Sequence, residues 1–123
     1  MGSETLERAR RGFNAWQEGD FETIEAMFDP AVSWHWFEPG GWDCNSRKDV
    51  MRTLRHRHHE GFARGELEFI DAGPDTVIVV SHPRDIGGPE WPAETATVIR
   101  FHDGKVVSMQ DYRTRDEAVA SLT

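Results

Sequence analysis

Apolar residues recur every three or four positions at the start of the chain: Leu6, Ala9, Phe13 and Trp16. That spacing lines one face of a helix and predicts one over residues 4–18, with Ser3 as N-cap and Gly19 as the stop. Phe21, Ile24 and Phe28 extend the pattern over 21–28. Asp29-Pro30 then breaks it, because proline lacks an amide hydrogen and disfavours a helical predecessor. The period changes at VSWHWF (32–37), a β-branched and aromatic run that predicts a strand. EPGGWDCN follows as a loop. Ser46-Arg47-Lys48-Asp49 resembles a capping box and opens a third helix, 47–62, with Val50, Met51, Leu54, His58 and Phe62 on one face. After Gly65 come four strand-like runs, ELEFIDAG, DTVIVVSHPR, ETATVIRFHDG and KVVSMQDYRT, parted by turn residues. Asp103-Gly104 is a hairpin signal, and residues 115–121 predict a short helix. No repeat, linker or low-complexity tract divides the chain, so residues 1–123 read as a single domain. The order predicts an α+β fold: a mostly antiparallel sheet with helices packed on one face.

Composition narrows the partners. A net charge of −8 argues against nucleic acid and against an anionic membrane surface. No apolar run approaches the roughly 20 residues of a membrane span. The N-terminus is charged at once and carries no apolar signal region, and the lone Cys44 excludes an internal disulfide framework; both point to a cytoplasmic protein. The basic stretch 47–64 reads as a solvated helix face. Within it, His56, His58, His59 and Glu60 are dense, but without the spacing of a metal motif they read as polar surface, so no metal and no cofactor is expected. Cys44 lies before a helix N-terminus without a placed base and reads as a small buried residue.

The stretches GDFETIEAMFDPAVSWH, SRKDVM, VIRFHDGKVVSMQ and DYRTRDEA, in this order, resemble the NTF2-like superfamily and its SnoaL-like members, which include polyketide cyclases and ketosteroid isomerases. The resemblance covers nearly the whole chain. It implies a cone, with a curved sheet and three helices on its concave side, enclosing a pocket for a small organic molecule. It also implies homodimers formed through the outer face of the sheet. The superfamily hosts isomerases, lyases, cyclases, epoxide hydrolases and non-catalytic binders, so fold alone does not give function.

Strand alternation separates Ser33, His35 and Phe37 from Val32, Trp34 and Trp36. By similarity to the isomerases, His35 takes their general-base position, which puts His35 and Phe37 inward and Trp34 and Trp36 outward. The same similarity places Met109, Asp111 and Arg113 inward, with Leu54 and His58 from the third helix and Phe13 and Trp16 from the first. Trp42, on the loop, would close the mouth. The isomerases' oxyanion donors correspond to about Gly12 and Thr97, which cannot replace them, so steroid isomerisation is rejected. His35 and Asp111 are the expected acid–base pair, since an imidazole titrates near neutral pH. Arg113 would bind a carbonyl or carboxylate, or neutralise Asp111. The alternatives are a non-catalytic binding or assembly domain and, third, a limonene-type epoxide hydrolase using Asp111 with Arg84 and Asp85, whose adjacency departs from that family's spacing.

Overall fold

The computed structural model describes residues 3–36, 43–59, 66–82 and 94–122. Phe37, Trp42, Phe62, Arg84 and Asp85 lie outside them. The elements run α1 (Ser3–Gln17), α2 (Phe21–Glu25), β1 (Phe28–His35), α3 (Arg47–His59), β2 (Glu66–Asp71), β3 (Thr76–His82), β4 (Thr95–His102), β5 (Lys105–Tyr112) and α4 (Arg115–Ala120). The sheet order is β1-β5-β4-β3-β2; β1 is parallel to β5 and every other pairing is antiparallel.

Local chemistry explains the boundaries. Gly19, at φ 79°, ends α1 in the left-handed conformation that glycine adopts without a Cβ penalty. The Ser46 hydroxyl accepts from the Asp49 amide at 3.2 Å and caps α3. Asp103 and Gly104 both have positive φ, the hairpin geometry that the Asp-Gly pair favours. One boundary departs from expectation. The second helix stops at Glu25, and Phe28 already belongs to β1, where it pairs with Val106. Pro30 is tolerated inside that strand because β1 is an edge of the five-stranded sheet. The pairing is irregular between Phe28 and Ser33, and there Asp29 turns back to accept from the Ala31 amide at 2.8 Å. The outer edge of β1 is covered by a bridge in which Trp34 and Cys44 exchange backbone hydrogen bonds of 2.9 and 2.7 Å.

The sheet buries apolar side chains on both faces. Val77, Val79, Ile99 and Met109 belong to a core shared with α1, α2 and α3. Ile78, Val80, Ala96 and Val98 form a second core under α4, closed by Ala118 and flanked by Ile70, Tyr112 and Leu122. The three helices on the first face are those expected from the sequence. On the outer face, where pairing of two chains was expected, α4 covers the central apolar residues.

A candidate ligand cavity with a buried charge pair

The first core is not filled. Between the sheet and helices α1 to α3 lies a cavity of about 90 Å³. At one end of β4 and β5 its wall is hydrocarbon, with Phe101, Val106 and Ile99. Toward the other end of the strands it turns polar: Thr97, Thr95 and Ser81 come together, because Ser81 pairs with Thr95 across β3 and β4. Phe13, Trp16, Leu54 and Met109 line it. Phe13 packs edge-on against Trp16 and Phe69, with ring centroids at 6.1 and 5.8 Å. The Trp16 indole N–H donates to the Leu54 carbonyl at 2.9 Å and ties α1 to α3. Gly12 also lines the wall and contributes no side chain to fill it.

The inward face of β1 is the reverse of that expected. Val32 and Trp34 are buried, whereas His35 is exposed. The register accounts for this: Trp34 pairs with inward-facing Met109, and His35 pairs with Gln110 on the other face. His35 therefore does not line the cavity; its Nδ1 lies 3.3 Å from Asp43 Oδ2. The apolar alternation of Val32, Trp34 and Trp36 was the stronger signal, because a face of one valine and two tryptophans gains more from burial than a face of serine, histidine and phenylalanine. Two further expectations change. His58 packs edge-on between Trp16 and Phe21, at centroid distances of 6.5 and 5.4 Å, and is absent from the cavity wall. Arg113 falls just past the end of β5 and is exposed.

Asp111 is buried and does not itself line the cavity. Its Oδ1 accepts from the Trp34 indole N–H at 2.9 Å and from the Thr97 hydroxyl at 2.7 Å. Its Oδ2 faces the Arg57 guanidinium at 3.9 Å. Burial raises the Asp111 carboxyl above its ordinary range, with nearby Asp43 adding to the rise, against the opposing pull of Arg57 and the two hydrogen bonds. Burial likewise lowers Arg57, opposed by Asp111 and Cys44. The Arg57 side chain is only 17% exposed and lines the cavity, with its guanidinium carbon over the Trp34 ring, 4.5 Å from the centroid. Arg57 thus takes the place beside Asp111 that the sequence reading gave to Arg113. Helical spacing puts Arg57 on the stripe of α3 that also carries Val50 and Leu54, but spacing does not show what a charged residue there would meet. Cys44 is buried against the Thr53 hydroxyl at 3.4 Å, and burial raises its thiol, as expected of a packing residue.

A curved open sheet folded over helices around an apolar, one-sidedly polar cavity defines an NTF2-like cone. The chain belongs to the SnoaL-like domain family, whose sequence profile matches residues 9–109. Solved structures agree on the fold. Bal32a from a soil-derived mobile gene cassette is 22% identical, with 91% of each chain covered and a TM-score of 0.72. A candidate polyketide cyclase from Sinorhizobium meliloti is 12% identical over 91% of this chain and 99% of its own, with a TM-score of 0.68. An LEH-like epoxide hydrolase from M. tuberculosis is 19% identical over 89% of this chain and 82% of its own, with a TM-score of 0.66. No curated protein matches the sequence.

Proposed function

We propose that the protein binds a small, largely apolar organic molecule in the cone, with the Arg57–Asp111 pair as the polar end of the site. The observation that carries this reading is a charged pair placed against a mostly apolar cavity in a SnoaL-like domain. Burying two charges there costs several kcal/mol per ion before their attraction offsets it, and a packed apolar pair would serve stability as well. Such a pair fits a recognition role. Trp16 and Trp34 both line the cavity and report on occupancy. A panel of small ketones, enones, epoxides and carboxylic acids is expected to change tryptophan fluorescence saturably. Ile99→Phe, which fills the cavity, should weaken that binding at least about tenfold, equivalent to about 1.4 kcal/mol. No saturable change with any member, or binding indifferent to Ile99→Phe, would sink the reading.

A second reading, cofactor-independent isomerase, lyase or cyclase chemistry, is favoured by Asp111 itself. A carboxyl whose affinity for a proton is raised, held by Trp34 and Thr97 beside a cavity, suits general acid or base work. The epoxide hydrolase and candidate cyclase among similar folds add to it only as analogy. Because His35 lies on the opposite face of β1, this chemistry would run through Asp111 and not through a His35–Asp111 pair. Turnover of an enone or epoxide by the wild type, lost in Asp111→Asn with ligand affinity retained, is the expected sign; undiminished turnover in that variant counts against it.

A further inference from the structure

We propose that Arg57 anchors the carboxylate of a small apolar acid, whose hydrocarbon body lies among Phe13, Ile99 and Met109. This rests on the reading that the cavity holds a small molecule, and it names the class of that molecule.

Three observations meet at Arg57. The first is unused capacity. A guanidinium carries five N–H donors in a planar fork. Arg57 makes no hydrogen bond to any described residue, since its approach to Asp111, 3.9 Å, is beyond hydrogen-bond reach. Buried donors are almost always paired, so this fork is set for a partner. The second is fixed aim. The guanidinium carbon lies over the Trp34 ring, 4.5 Å from its centroid, a cation–π contact that limits the freedom binding would otherwise cost. The third is the gradient along the wall. Thr95, Thr97 and Ser81 gather at the polar end, and Phe101 and Val106 stand at the apolar end. A molecule polar at one end and hydrocarbon at the other matches that gradient. A carboxylate matches a guanidinium fork better than a carbonyl does, because two parallel charge-assisted hydrogen bonds form.

Size follows from volume. A cavity of about 90 Å³ is smaller than the roughly 150 Å³ that takes benzene, so only a short hydrocarbon body suits it. Isovalerate, a branched four-carbon body bearing a carboxylate, is the natural probe. Charge balance adds a consequence. A second carboxylate beside Arg57 faces Asp111, and two carboxylates sharing one cation hold a proton between them. The groups facing Asp111 are Arg57 from α3, Trp34 from β1, Thr97 from β4 and, farther off, Asp43. Arg57 already carries its proton, Trp34 and Thr97 are not bases, and Asp43 is farther off, so binding brings a proton from solvent to the site shared by Asp111 and the ligand carboxylate.

The test is a calorimetric titration with isovalerate, its neutral amide isovaleramide and 3-methylbutan-1-ol, on the wild type and on Arg57→Gln. The wild type is expected to bind the acid at least about tenfold more tightly than the amide or the alcohol, with heats that depend on the buffer's ionisation because a proton is taken up. Arg57→Gln is expected to lose that preference. If the amide or alcohol binds as well as the acid, Arg57 is a structural counter-ion and this inference is overturned, while the cavity remains a ligand site. If none of the three binds and the ketone, enone, epoxide and carboxylic acid panel is also silent, both readings fall. Should Arg57→Gln fail to fold, the three-ligand series on the wild type decides alone.

Discussion

The two faces of one sheet bury similar residues and come out differently. Under α4, Ile78, Val80, Ala96, Val98 and Ala118 are all at most 3% exposed, and small side chains let a helix of six residues seat closely. On the other face, Phe13, Trp16, Phe28 and Trp34 hold α1 to α3 away from the strands and leave a cavity, with a carboxylate and a guanidinium against it. Close packing is what stability alone selects. A void and a buried charge pair both work against stability, so their joint presence on one face is what favours the proposed ligand site there.

The largest effect that sharpens this contrast is at the charge pair. Asp111→Ala leaves Arg57 buried without a counter-ion and should cost about 3–5 kcal/mol in chemical denaturation. A loss under about 1 kcal/mol would mean that water reaches the pair freely. Next come isoleucine truncations on the two faces. Ile78→Ala, in the filled core, should cost about 4 kcal/mol, and Ile99→Ala, already beside a void, about 2 kcal/mol, because a side chain facing empty space has fewer contacts to lose. Equal losses would erase the distinction between the faces. Thr114 caps α4 by accepting from the Glu117 amide at 3.1 Å, so Thr114→Ala should cost about 1 kcal/mol without changing ligand affinity.

The dependence on pH follows from Asp111. Its folded-state proton affinity is raised, so between the unfolded and folded values the folded protein holds a proton that the unfolded chain has released. That contribution is full below the ordinary aspartate value, about 3.9, and is lost as pH rises through the folded value. Asp111→Asn should flatten this fall of stability with pH; an unchanged slope would assign it to other groups. Smallest of all, His35→Ala removes an exposed side chain paired with Asp43 and should shift stability by less than about 0.5 kcal/mol, with no change in ligand binding.

Much of this was legible in the sequence. Helical period, capping at Ser46, the Asp103-Gly104 turn and four strand-like runs specified the elements, and the resemblance joined them into a cone. Phe13, Trp16, Leu54 and Met109 were placed in the wall because apolar period and family pattern agreed. Where the two disagreed, in VSWHWF, the family pattern pointed His35 inward and the apolar alternation pointed Trp34 inward; burial of valine and tryptophan decided it. Arg57 was hidden for a different reason. A charged residue in the basic stretch 47–64 reads as solvated, and nothing local shows that the Trp34 ring and the Asp111 carboxylate, 23 and 54 residues away in sequence, wait for it across the fold. Phe28 was read as the end of a helix because its pairing with Val106 is also non-local.

The most direct test of the central claim is to follow backbone amides and indole N–H groups by NMR while isovalerate is added. The account predicts the largest shifts at Thr97, Ile99 and Met109 and at the Trp34 indole, on the concave face. Shifts confined to Ile78, Val80 and Val98, or to His35 and Asp43, or no shifts at saturating concentration, would contradict it.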